Sequence, residues 1–200
     1  MGGMRRQPLW LVPVLAALTS MILSACTAGT AHRAGTATAA TPATAHATGP
    51  VGGPGHPVVF GCAQESFSGD SPVPQRPQPG DLAIGPLIIP GGQRLATADP
   101  AGYGEHGSYK IPFIVLKGAT VTVTIAPPAR GHVVISNPYA PAGVTAATYH
   151  SCAQVAGFFA QGFTFTGGHT RGCVPLDVKV SHQPRVRRVT LSLFAGSCPG

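Results

Sequence analysis

Residues Thr120-Val121-Thr122-Val123-Thr124-Ile125 place Val121, Val123 and Ile125 on one face of an extended chain and three threonines on the other. Successive strand side chains point to opposite faces, so this segment must lie on a sheet with one face on a core and the other toward solvent. No long segment carries apolar residues at helical spacing. Short apolar runs recur instead between turn-forming residues, at 58–60, 81–89, 109–117, 132–136, 144–152, 163–166, 173–180 and 186–194. About eight or nine short strands separated by turns predict an all-β domain, an antiparallel β-sandwich of Ig-like or jelly-roll-like type. The stretch 148–180, with Cys152, Cys173, Phe158, Phe159, Phe163 and Phe165, is expected in the middle of its core.

Several local features sharpen this reading. Gly85-Pro86 reads as a bulge or bend inside an edge strand, and Pro112 is expected where no ladder donor is needed. Lys117-Gly118 reads as a tight hairpin leading into 120–125. Residues 153–161 have room for one helical turn, limited by Gly157 and Gly162.

The N-terminus has a different character. Arg5 and Arg6 precede an apolar run from Leu9 to Leu23, shorter than the ~20 residues that span a bilayer. Leu23-Ser24-Ala25-Cys26 follows and resembles a bacterial lipobox, in which a signal peptidase cuts before the cysteine and the cysteine carries lipid. Residues 1–25 are therefore expected to be a lipoprotein signal peptide. Cys26 would then be the acylated first residue of a chain anchored to the outer face of the cell membrane. Residues 26–57 are almost entirely Ala, Thr, Gly and Pro, with His32, His46 and His56. They hold too little apolar bulk to offset the entropy of ordering, so they read as a disordered tether reaching on the order of 30 Å. The folded domain is expected over 58–200, where about 140 residues can bury near two thirds of their unfolded surface.

With Cys26 consumed by lipid, Cys62, Cys152, Cys173 and Cys198 remain. An even number in an exported chain reads as two disulfides. Of the three pairings, Cys152 with Cys173 and Cys62 with Cys198 is preferred here. The first brackets the aromatic segment, and the second ties the start of the domain to its end. No CxxC spacing points to structural zinc, and no cofactor is implied. The chain has 13 basic and 6 acidic residues, which without Arg5 and Arg6 becomes 11 against 6. That surplus favours lipid head groups, an anionic envelope polymer or a protein partner over nucleic acid.

Catalytic motifs are weak. Gly102-Tyr103-Gly104-Glu105-His106-Gly107 matches G-x-G-x-x-G, but a phosphate site needs a strand before it and a helix N-terminus after it, and a loop and an apolar run stand there instead. His150 and Ser151 are neighbours with Asp177 elsewhere, yet adjacent strand residues face opposite ways, so His150 is badly placed to activate Ser151. No G-x-S-x-G elbow or carboxylate pair stands out. A metal site would have to be assembled through space, with His132, His150 and His169 as candidates for Cu or Zn, beside His106 and His182. Arg185, Arg187 and Arg188 read as a solvated strand edge that blocks edge-to-edge association.

The run 80–87 (GDLAIGPL), Cys152, the Gly162-Phe163-Thr164-Phe165 segment, Cys173-Val174-Pro175-Leu176-Asp177-Val178 and Cys198 together resemble an uncharacterised family of small exported proteins and lipoproteins of actinobacteria. The resemblance covers 58–200 and implies a four-cysteine β-domain without an assigned activity. The reading that follows is a cell-surface lipoprotein acting as a non-enzymatic binding or envelope-interaction module. An extracytoplasmic metal-binding lipoprotein and an envelope hydrolase are the alternatives. Cys26→Ala should shift the protein from the membrane fraction to the medium, checked by fractionation with globomycin, a lipoprotein signal-peptidase inhibitor, as a parallel block; unchanged anchoring under both would remove the lipid.

Overall fold

A computed structural model describes residues 52–65 and 72–199. The expected signal peptide, Cys26 and most of the expected tether lie outside these residues. The described chain contains fourteen strands: β1 (Val58–Phe60), β2 (Leu82–Ile84), β3 (Leu87–Ile89), β4 (Gly104–Glu105), β5 (Ser108–Lys110), β6 (Phe113–Val115), β7 (Thr120–Ile125), β8 (Val133–Asn137), β9 (Ala140–Val144), β10 (Ala146–His150), β11 (Gly157–Phe159), β12 (Gly162–Phe165), β13 (Gly172–Val180) and β14 (Val186–Leu193). They form three sheets, ordered β1-β10-β7-β13-β14, β11-β6-β3-β2 and β4-β5-β12-β8-β9. All pairings between strands are antiparallel except that of β1 with β10. The architecture is the expected all-β sandwich. The strand count is higher than the sequence suggests because two- and three-residue strands such as β4 and β11 are too short to show a period.

The first sheet follows the alternation of its sequence. Val121, Val123 and Ile125 of β7 are fully buried and its threonines half-buried. Val174, Leu176, Val178 and Val180 of β13 are buried in the same way. The other two sheets form one ladder bent in the middle. β5 pairs with β12 and β6 with β11, and between them lie Ile111-Pro112 on one side and Ala160-Gln161 on the other. Proline has no N–H to donate, and Pro112 lies where no ladder donor is needed, as expected, but the run 109–117 is split there into strands of two sheets rather than continuing as one. A single bond spans the break, Ile111 N–H to the Gln161 carbonyl at 2.9 Å.

One core unites the sheets, and its largest fully buried side chains include Phe60, Phe113, Tyr149, Phe159 and Phe163. The far face of β3 and β6 is covered too, where Ile88, Ile114 and Ala156 pack with half-buried Val73, Leu116 and Phe158. Burial on both faces explains why these strands read as continuous apolar runs rather than alternating ones.

Four local expectations change. Gly85-Pro86 is the two-residue turn of a β2–β3 hairpin rather than a bulge within one strand, with Gly85 at φ 62°. Lys117-Gly118 does not close a hairpin. β6 and β7 belong to different sheets, and a turn closed by Ala119 N–H to the Leu116 carbonyl at 3.1 Å carries the chain between layers. The segment 153–161 holds β11, whose backbone pairs with β6 instead of folding on itself. The domain also begins before residue 58: the Gly52 carbonyl accepts from Thr145 N–H at 2.9 Å and Ala146 N–H at 2.8 Å, so 52–57 belong to the sandwich.

The cysteine pairing differs as well. The structure joins Cys62 to Cys152, with Cα atoms 5.1 Å apart, and Cys173 to Cys198, at 5.7 Å. Neither Cys152–Cys173 nor Cys62–Cys198 forms. The cause is the parallel pairing of β1 with β10, in which Phe60 stands beside Tyr149. Both strands leave the sheet in the same direction, so the cysteines just beyond them meet. Cys173 lies opposite Ser192 in the β13–β14 ladder, and the chain after β14 turns back, with Ser192 Oγ donating to the Gly196 carbonyl at 2.7 Å. Each closure contributes roughly 3 to 5 kcal/mol in the chain-entropy picture, more for the 90-residue loop than for the 25-residue one. Peptide mapping without reduction should recover 62–152 and 173–198 linked peptides, and a 152–173 peptide would overturn this topology.

Candidate functional site

The bend that breaks the ladder leaves a groove of about 540 Å³. Its walls come from Tyr109 and Lys110 of β5, Pro112, Asn137 of β8, Phe158 of β11, and Gln161. The volume lies inside the roughly 300–1,000 Å³ typical of small-molecule sites. Lys110 is the only charged residue among those lining it. Asn137 is held by its neighbours, donating to the Ala160 carbonyl at 3.3 Å and accepting from Tyr139 N–H at 2.8 Å.

Gln161 is different. It is 5% exposed, and both its amide nitrogen and its oxygen lack a hydrogen-bond partner, as does the Tyr149 hydroxyl. Burial pushes the Tyr149 phenol far above its ordinary range, and the Gln161 side chain pulls it back. The two therefore sense each other without closing a bond of good geometry. A buried polar group left unpaired costs about 1 to 3 kcal/mol, and Gln161 and Tyr149 carry that cost behind the groove wall.

At another point on the surface, His132 and His169 converge with ring centroids 5.4 Å apart, beside a pocket of about 160 Å³ that Arg171 also lines. Their turns are locked together: Thr166 N–H donates to the His132 carbonyl and Thr166 Oγ1 to the Gly131 carbonyl, each at 2.8 Å. Of the three metal candidates the structure thus joins two. His150 lies elsewhere, its Nδ1 2.8 Å from Thr120 Oγ1.

The remaining motifs resolve into structural parts. Ser151 Oγ donates to the Leu116 carbonyl at 2.6 Å, and Asp177 is gripped by Arg188 at 2.7 and 2.9 Å on the neighbouring strand, so no Ser-His-Asp unit assembles. Gly102 to Gly107 builds the β4–β5 hairpin, in which a Cβ on Gly104 would overlap the Ser108 carbonyl and one on Gly107 would press on His169. Phe159, Phe163 and Phe165 are core, whereas half-buried Phe158 lines the groove. Arg185, Arg187 and Arg188 lie exposed at the edge strand and its approach. Two disulfides suit an extracytoplasmic compartment, and no helix among the described residues is long and apolar enough to cross a membrane.

Sequence reasoning missed Glu65, the only buried acid among the described residues. It is 9% exposed and accepts from Cys152 N–H at 3.0 Å, in space kept open by Gly157, whose Cβ would overlap the carboxyl. Burial raises its pKa above the ordinary 4.5, and the Cys152 hydrogen bond opposes the rise. A raised folded pKa means that the fold holds this proton more tightly than the unfolded chain does. The resulting stability is complete below pH 4.5 and is lost as pH rises through the folded value. Denaturation across a pH series should therefore show the wild type losing stability relative to Glu65→Gln as pH rises above 4.5; parallel curves would remove the buried acid. No protein-family model, no curated protein and no solved structure matches this chain.

Proposed function

We propose that the protein is a non-enzymatic binding module, held at the outer face of the cell membrane by lipid on Cys26 and related to the uncharacterised actinobacterial family of small exported proteins. Its ligand is amphipathic, with an apolar body for the groove and an anionic head for exposed Lys110 at its wall. The observation that carries this reading is a groove of ligand size whose lining holds Lys110 as its only charged residue. Burial of apolar ligand surface supplies the driving force, at roughly 25 cal/mol per Å², and the polar groups set orientation. The basic surplus of the chain suits an anionic envelope component as the source of such a ligand.

The convergence of His132 and His169 favours a second reading, a Cu or Zn site. Arg171 shares that pocket, and its charge opposes a cation, so Cu(II), the divalent ion that nitrogen donors hold most tightly, is the informative probe. An envelope hydrolase has less support, because Ser151, His150 and Asp177 each spend their side chains on other partners.

Thermal unfolding against an acyl phosphate, an acyl carboxylate, a neutral acyl alcohol and Cu(II) separates these readings. A ligand at ~100 times its Kd adds about 2.7 kcal/mol, a shift of several degrees in a domain of this size. The acyl anions should shift the transition more than the alcohol. Ser136→Trp, which fills the groove, should abolish the shift, and Lys110→Ala should erase the preference for anions. A shift by Cu(II) alone, lost in His132→Ala, would put the metal reading first.

A further inference from the structure

Cys62, Glu65 and Cys152 are the only three ligand-type side chains among the described residues whose reactive atoms all lie within 4.8 Å of one another. Within this cluster the two sulfurs are not equivalent. Cys62 is exposed, while Cys152 is half-buried and has Glu65 Oε2 3.3 Å from its sulfur. An oxidised sulfur has no proton to give, so in the disulfide only a protonated carboxyl can donate across that contact. Burial without a cationic partner keeps Glu65 in that form over a wider pH range than an ordinary glutamic acid. The other disulfide offers a contrast: no carboxyl is hydrogen-bonded to Cys173 or Cys198 among the described residues.

We propose that the Cys62–Cys152 disulfide is an exchange site for thiols, with Glu65 as the acid that protonates the departing Cys152 sulfur. The co-reactant is a dithiol, either a small molecule or a protein with paired cysteines. Its thiolate attacks Cys62 Sγ, the sulfur open to solvent. A Cys62–thiol disulfide forms, the Cys62–Cys152 bond breaks, and its electron pair goes to Cys152 Sγ. The Glu65 proton transfers to that sulfur, a downhill step because a thiol binds a proton more tightly than a carboxylate does. The second thiol of the reductant then displaces Cys62, so that two electrons pass from the dithiol to the protein. Once reduced, the Cys152 thiol can donate to Glu65 Oε2, which lies 3.3 Å from that sulfur in the disulfide, and the carboxylate is placed to take the proton back when the pair reoxidises.

A purely structural Glu65 would do two things, accept from Cys152 N–H and fill the space beside Gly157. Glutamine does both and carries no acidic proton. Glu65→Gln therefore separates the two roles, and Cys173–Cys198 serves as the control within the same molecule. Alkylation and mass mapping of the purified protein during timed dithiothreitol treatment near pH 6 should find Cys62–Cys152 opening first. In Glu65→Gln its opening should slow about tenfold, less than the 10²–10⁴ of a positioned acid because a thiolate already leaves well. The rate at Cys173–Cys198 should stay near that of the wild type, and the deficit at Cys62–Cys152 should shrink as pH rises and Glu65 loses its proton. Glutathione applied to the wild type supplies a readout that needs no variant, with the mixed disulfide expected on Cys62. Equal opening of both disulfides, an unchanged rate in Glu65→Gln, or glutathione on Cys152 would overturn the proposal.

Discussion

Tyr149 is the hub on which the sandwich depends. Its ring lies 5.5 Å from Phe60, 5.5 Å from Phe113 and 5.0 Å from Phe159, and Phe113 in turn lies 6.0 Å from Phe163. These five side chains come from β10, β1, β6, β11 and β12, so all three sheets meet at one aromatic cluster. Each such contact adds about 0.5 to 1.5 kcal/mol beyond the area it buries. The tilted and edge-on geometries also restrict how the layers can slide, because each ring fills a gap between others. The cluster fixes the parallel seat of β1 on β10, and that seat brings Cys62 to Cys152.

The same arrangement explains where surface features open. Pro112 cannot continue the β5–β6 ladder, and the chain must bend where Ala160 and Gln161 face it. A flat sheet would have closed over this region. The bend instead leaves a groove, with Tyr109 and Gln161 positioned from the core side and Phe158 from the outer face of the middle sheet. Gln161 follows Phe159 at strand spacing and turns inward with it, which is why a polar side chain is buried beside an aromatic cluster without a partner. Stability is given up at that point, because a buried polar group without a partner costs more than an apolar one of the same size.

The three points of chemical interest all lie where strands end. His132 and His169 sit on turns flanking β8 and β12, Glu65 follows the short turn after β1, and the groove occupies the gap between strand pairs. Strand interiors in this protein are committed to the core by alternation, and charge on the edge strand is spent on the Asp177–Arg188 pair and on solvation. Exchangeable chemistry is therefore confined to connections, which the rigid ladders hold in place.

Period-two patterning, frequent turn residues and the absence of helical spacing were enough to determine the all-β class, the buried faces of β7 and β13, a position for Pro112 that needs no ladder donor and the core placement of Phe159, Phe163 and Phe165. These are local consequences of strand geometry and can be read from neighbouring residues. The sequence also singled out His132, His150 and His169, but could not say that the first and last converge while the second pairs with Thr120. Only the tertiary structure decided the cysteine pairing, the groove, the burial of Glu65 and the layer change at Lys117-Gly118. Each depends on which strands become neighbours, and that choice comes from packing between segments as far apart as Cys62 and Cys152, separated by 90 residues. Alternation says which face of a strand is buried; it carries no information about which strand will cover it.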